Sequence, residues 1–398
     1  MKKLILLLGL LFVASFTFAQ SNLSQVYQDG EGNIATVKQI GVWNEAYLDM
    51  FGDFNIIWQC QTGHENTEWF VINNGDYNAT FQGIWWEPWH YQQFGCLKFY
   101  IGQLWDPSNT QHQFGHFNQA YAYIENSSHN LVSQTQGWKY HDFMGTPGII
   151  VGNHNRAFID ILNMSDLNWV KQAQLLDNNE ASVYINDKSD DNVALQYQFG
   201  FNNLSDFEIT GSSDWNKVAS LQGDAFKWSL SNIDFVALWD HSDYNEIIIN
   251  QYDHGNYAEV IINDYSDYNK VAIHQENPDG GSKGSYAAVW MDRDADFNEM
   301  SICQWHGGGH WALIDIYSGD HNKIYTFYDG FFFTPDVFGE KVYTEIYFDG
   351  EYNVIRQEGA NQTADIRIWQ WGTAASNQAD FNKVSILQFG SWSEWNMA

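Results

Sequence analysis

The sequence predicts an all-β solenoid of stacked strand-turn-strand repeats, about 22–24 residues per rung and amyloid-like in its stacking. Three observations predict it. Asparagine is followed six positions later by glutamine many times along the chain, the residues between them alternate in polarity with period two, and the joining segments are short and rich in Gly, Asn and Asp. With only 5 prolines in 398 residues and 17% aromatics, the composition fits neither a helical protein nor a disordered one.

Residues 1–19, MKKLILLLGLLFVASFTFA, read as a signal peptide. Lys2 and Lys3 precede an apolar run, and Thr17 and Ala19 occupy the cleavage positions before Gln20. The run is too short and wrongly flanked for a retained membrane anchor, and no later stretch approaches a spanning length. The expected mature chain is 20–398, secreted and extracellular, associated with the cell surface and without membrane insertion.

From residue 20 onward the chain reads as one repeat domain. The N-x5-Q spacing occurs at Asn33/Gln39, Asn55/Gln61, Asn130/Gln136, Asn168/Gln174, Asn192/Gln198, Asn216/Gln222, Asn245/Gln251, Asn269/Gln275, Asn298/Gln304 and Asn382/Gln388. A Q-x4-N spacing carries several of these onward: Gln28/Asn33, Gln39/Asn44, Gln61/Asn66, Gln113/Asn118, Gln174/Asn179, Gln198/Asn203 and Gln251/Asn256. In the run from Asn216 to Gln222, Val218 and Ser220 share a face with both anchors; Val271 and Ile273 do so in the next clear copy. Period two over seven residues is a strand. Turn-like segments at 29–32, 40–43, 199–202 and 252–255 follow, because Gly, Asn and Asp accept positive φ cheaply.

Asparagines at 168, 179, 192, 203 and 216 give spacings that alternate between 11 and 13, a unit of 24 residues. Each unit is therefore strand, tight turn, strand and a looser acidic turn. Stacked at about 4.8 Å per rung, such units pair every strand with its copies above and below. A lone inward amide is costly. Repeated at the same place on successive rungs, it donates to one copy and accepts from another, the amide ladder of cross-β structures. Four stretches break the period: 83–112, 137–150, 276–290 and 329–348; they are expected to be loops bulging from corners or degenerate rungs.

Without the two leader lysines, 16 basic residues face 49 acidic ones, a net charge of −33. That excludes nucleic acid as a partner, since phosphate binding is driven by Lys and Arg. Corners such as Ser242-Asp243-Tyr244-Asn245 and Ser266-Asp267-Tyr268-Asn269 are expected to bring carboxylates into columns. The Gly-Gly-x-Gly-x-Asp calcium roll is absent, so these corners read as solvated. Cys60, Cys96 and Cys303 are odd in number and allow one bridge at most, Cys60 to Cys96.

The combined pattern Q-x4-N-x5-Q-x4-N, carried by Gln28, Asn33, Gln39 and Asn44 and again by Asn168, Gln174, Asn179 and Asn192, Gln198, Asn203, resembles the curlin repeat of bacterial curli subunits. The resemblance is clearest in 25–82 and 155–275. It implies a structural subunit or nucleator that self-associates into surface fibres of a biofilm matrix, with a dedicated outer-membrane export system and other fibre subunits as partners. The chain departs from that family in its length, its many tryptophans and its four breaks.

Two other classes compete. A β-helix polysaccharide-degrading enzyme would need acid–base carboxylates, but pairs such as Asp190/Asp191 and Asp292/Asp294 sit at repeat corners, where turn chemistry explains them. His306 and His310 lack a third ligand for a metal. No nucleophile elbow or phosphate loop appears, so neither catalysis nor a cofactor is expected. A binding module would use Trp85, Trp86, Trp89, Trp290, Trp305, Trp311, Trp369 and Trp371 against a glycan or another surface; the alternative is that aromatics stack in rows along the sheet.

Overall fold

The computed structural model describes residues 21–76, 78, 85–86, 90–94, 97–101, 104–105, 110–136, 138–141, 147–150, 153–223, 229–230, 232–251, 256–262, 269–275, 286–291, 299–304, 311–316, 323–328, 341–347, 354–358, 362–369, 383–387 and 396–397. Every regular element among them is a strand, and the stacked strands form two long parallel sheets of a β-solenoid.

The chain alternates between the two sheets, so each coil contributes one strand to each. One sheet begins with Leu23–Asp29, Glu45–Phe51, Thr67–Asn73, Gln119–Glu125 and Arg156–Leu162, and runs through 14 strands to Asn396–Met397. Its inward residues are mostly Ala, Val and Ile, and we call it the apolar sheet. The other begins with Ile34–Val42, Ile56–His64, Thr110–His116, Leu131–Gln136 and Trp169–Leu175, and ends with Lys383–Leu387. It carries inward glutamines and is the glutamine sheet; Ser229–Leu230 lies beside the end of Val193–Phe201, outside its main order.

Register does not slip. One column of the apolar sheet reads Met50, Ile72, Ile124, Ile161, Ile185 and Ile209, all fully buried. The adjacent inward columns hold Leu48, Phe70, Ala122, Ile159, Val183 and Phe207, and then Ala46, Glu68, Ala120, Ala157, Ala181, Ser205 and Asp234. A one-residue shift would turn the whole buried set outward, and that cost holds the register. Together with Ile57, Val132, Val170, Val218, Ile247 and Val271 from the glutamine sheet, the Met50 and Leu48 columns form one continuous core along the stack.

The breaks in period resolve differently. Within 83–112, Trp85–Trp86 pairs antiparallel with Leu104–Trp105, and His90–Phe94 with Leu97–Ile101. The chain then rejoins the glutamine sheet, where Gln113 falls opposite Gln61. Within 137–150, Trp138–His141 and Pro147–Ile150 form a second antiparallel pair. The stretches 276–290 and 329–348 are less irregular than their sequence suggests. Each leads into a regular strand of the apolar sheet, Tyr286–Met291 and Lys341–Tyr347. Apart from Gln28, no anchor of the spacing pattern lies within an apolar-sheet strand, so the anchor spacing alone misses these strands.

Candidate functional site: polar files and an open first coil

Inside the coils the amides stand in continuous files. Gln39, Gln61, Gln113, Gln136, Gln174, Gln198, Gln222 and Gln251 form the longest. Each Nε2 donates to the Oε1 of the next coil's glutamine at 2.7–3.2 Å. The same Nε2 crosses the coil to a main-chain carbonyl at the start of the facing strand, as from Gln174 to Arg156 at 2.7 Å and from Gln198 to Glu180 at 2.8 Å. From Gln61 to Gln222 both amide hydrogens and the oxygen are thereby used, which is why these side chains tolerate complete burial. Glutamine has the reach to clamp one sheet to the other; glutamate would supply no donor. Gln275 lies above Gln251 and makes the same crossing to Tyr257 at 2.9 Å.

Asparagine fixes the corners. At the tight turn, Asn22, Asn44, Asn66, Asn118, Asn155, Asn179, Asn203, Asn232 and Asn256 form one file. The main-chain N–H of each donates to Oδ1 of the preceding member at 2.9–3.2 Å. At the looser turn, Asn33, Asn55, Asn78, Asn130, Asn168, Asn192, Asn216, Asn245 and Asn269 do the same at 2.8–3.0 Å. Each side chain thus satisfies a main-chain donor that leaves the sheet ladder as the chain turns.

The looser turn carries two further files. Asp53, Asp76, Asp166, Asp190, Asp214 and Asp243 line up with Ser128. In this file each member's main-chain N–H donates to the side-chain oxygen of the following coil at 2.5–3.1 Å, beginning with Glu31 to Asp53. Deeper in the same turn, Ser127, Ser165, Ser189, Ser213 and Ser242 form a file of the opposite sense, each main-chain N–H donating to the hydroxyl of the preceding member. Asp190 and Asp191, the paired carboxylates of the sequence, therefore belong to this corner. Burial pushes both carboxyls up, and the neighbouring Asp214 adds to the rise. Beside the Asp file stand Phe54, His129, Leu167, Asp191, Trp215 and Tyr244, all with φ of 56–60°. Trp215 and Tyr244 stack with rings 4° from parallel, partly offsetting the left-handed backbone. On the outer face of the apolar sheet Tyr47 packs tilted on Trp69 with ring centroids 4.8 Å apart, so aromatics on adjacent rungs are in contact here.

A second, shorter glutamine file escaped the spacing search. Gln134 donates to Gln172 and Gln172 to Gln196, at 2.9 and 2.8 Å, with Gln59 in the equivalent position two coils earlier. These long side chains face the alanine column of the apolar sheet. Where the file shortens to Ser220, Asp234 takes the alanine's place and accepts the Ser220 hydroxyl. Burial pushes the Asp234 carboxyl up to about 7, with that hydroxyl opposing the rise. Glu68 occupies the same column, is fully buried and has neither oxygen hydrogen-bonded. Burial raises its carboxyl well above the ordinary range, because the charged form is desolvated there.

Most sequence-predicted anchors therefore fall into three files. Gln28 does not. It lies opposite Met50 in an apolar column, because it ends an apolar-sheet strand and only its distance from Asn33 matches the spacing. The backbone of Gln304 pairs with Gln275. Asn298, Asn382 and Gln388 lie outside the described residues, as do residues 1–20, His306, His310, Asp292, Asp294, Trp89, Trp305, Trp371 and Cys96. Cys60 is a free thiol. Among the described residues no group of three or more His, Cys, Asp or Glu is placed to hold a metal.

The first coil differs from all that follow. Its inward residues Ser24, Val26 and Gln28 are exposed, Val26 by 47%, whereas Ala46, Leu48 and Met50 directly above are completely buried. Among the described residues, both first strands, Leu23–Asp29 and Ile34–Val42, have a partner on one edge only. No protein-family model and no curated protein matches the sequence.

Proposed function

We propose that the protein is a secreted structural subunit or nucleator of a curlin-type, amyloid-like surface fibre and that it has no catalytic role. The observation that carries this reading is the open first coil: two adjacent strand edges without a further strand among the described residues, beside an exposed apolar interior. Such an edge is a template for adding another chain, and solenoids that stay monomeric cover it. The internal files support the same reading, because a stack held by identical residues one rung apart gains the same bonds when it is extended by another molecule. The leader expected at 1–19 places the fibre outside the cell, where it would contribute to adhesion and biofilm matrix after passage through an outer-membrane export system.

The test is electron microscopy and fibre diffraction of the mature chain after incubation. Unbranched fibres with reflections near about 4.8 and 10 Å are expected; a permanently monomeric protein that seeds cannot extend refutes the proposal. One observation favours a second reading, glycan binding. Tyr47, Trp69, Tyr121 and Phe158 occupy successive positions of one outward column, with Trp69 45% exposed. Retention of monomer on a glycan array, lost in Trp69→Ala, would support it.

A further inference from the structure

The files are directional, and their directions differ. In both asparagine files the donor lies one coil later than its acceptor. In the glutamine and aspartate files the donor lies one coil earlier. The first coil therefore presents a definite set of unused groups at its open end. Among the described residues, the main-chain N–H groups of Asn22 and Asn33 have no asparagine oxygen below them, although every later member of their files does. Gln39 donates upward to Gln61, but its own Oε1 receives nothing from below. Glu31, at the start of the aspartate file, donates its N–H to Asp53 and receives none at its carboxylate.

We infer that a second copy of this chain docks on the first coil with its C-terminal end, so that growth is head to tail and every fibre is polar. This inference rests on the fibre reading above. The polarity follows from the chemistry of the face. A coil placed below must offer asparagine oxygens at both corners, a glutamine Nε2 in the interior and a main-chain N–H at the looser turn. That is the upper face of this same solenoid, seen wherever one described coil meets the next. Two first coils brought together by a twofold axis would instead run their strands antiparallel. The Asn22 and Asn33 donors would then have no oxygen acceptors in register, and the glutamine oxygens no donors. The exposed Val26 fits the same partner, since the apolar column above it, Leu48 and Phe70, is what continues across each coil boundary. The carboxylate of Glu31 also sets a condition, because it must meet an N–H rather than another carboxylate.

The experiment uses labelled wild-type seeds and mature full-length Val26→Asp. In a monomer this side chain lies at the open end and is half exposed; in a docked copy it would be a buried charge without a partner. Val26→Asp alone is expected to elongate wild-type seeds at least about a hundredfold more slowly than wild type, the scale of an uncompensated buried charge. Added in small amounts with wild-type monomer, it should stop growth at one seed end and leave the other end growing, because its C-terminal end still docks. Tyr27→Lys, on the outward face of the same strand, should leave both rates unchanged. Circular dichroism and the unfolding midpoint of each variant check that the coils remain folded. If Val26→Asp polymerises as wild type does, or stops both ends alike, head-to-tail docking is wrong while the fibre reading stands. If wild type forms no fibres, both fall.

Discussion

Replacing Asp234 by Asn should remove a pH-dependent weakness from the middle of the stack. The Asp234 carboxyl is fully buried and titrates near 7 in the folded chain, against about 3.9 when unfolded. Between those values the unfolded chain gives up its proton first, so the folded state binds more protons and stability falls as pH rises. A difference of about 3 units at 1.36 kcal/mol per unit amounts to about 4 kcal/mol, absent below pH 4 and complete above pH 7. Asparagine still accepts the Ser220 hydroxyl and does not titrate. The variant should match wild type near pH 4 and exceed it by about 4 kcal/mol near pH 8. Guanidinium midpoints between pH 4 and 8 would measure this, together with hydrogen exchange of the amides in Leu204–Ile209 and Ile233–Val236. Coils couple chiefly to their neighbours, so the effect should centre on those strands. Parallel pH profiles for the two proteins would show that Asp234 is solvated or already ionised in the fold, and would refute the argument.

Glu68→Gln should likewise stabilise the protein at neutral pH more than at acid pH, read from the same midpoints, because the Glu68 carboxyl is also raised by burial. Gln174→Leu should cost about 3 kcal/mol or more in a denaturation series, since it strands the donor of Gln136, the oxygen of Gln198 and the carbonyl of Arg156. Gln39→Leu, at the half-exposed end of the same file, should cost about 1 kcal/mol. Gly41→Ala should destabilise by more than the roughly 1–3 kcal/mol of a strained backbone, because at φ 118° the new Cβ would stand 1.7 Å from the Gly63 carbonyl oxygen. Leu167→Gly should instead gain about 0.5–1 kcal/mol in thermal unfolding, since Leu167 is left-handed and 54% exposed.

The coil was legible because a ladder demands the same residue type at the same place in every rung. Asn168, Asn192 and Asn216 announce their spacing whatever lies between them. Their oxygens accept a main-chain N–H at a corner, and another side chain of different length would miss it. Apolar-sheet strands were less legible for the opposite reason. Their inward positions require only volume, so Ala157, Val183 and Phe207 follow no fixed identity. The Gln134 to Gln196 file hid for a related cause. It spans few coils and gives way to Ser220 and then Ile249, and it is recognisable as a file only once the alanine column opposite is known. Asp234 and Glu68 carry no periodic signal at all, since each is a single exception within a column of small residues. Gln28 shows the converse error, a correct spacing on the wrong sheet.

The contact between Gln61 and Gln113 closes at 3.2 Å, although 52 residues of chain separate the two. Elsewhere in that file the separation ranges from 22 to 38 residues, with bonds of similar length. The stack is thus indifferent to how much polymer passes between consecutive turns, provided the detour leaves and returns at the same edge. An unrelated folded unit with adjacent termini, spliced between Asn78 and Thr110, should be carried on the flank of the stack without interrupting it. Used in this way, the same scaffold becomes a rod on which passengers are displayed at intervals set by molecular length.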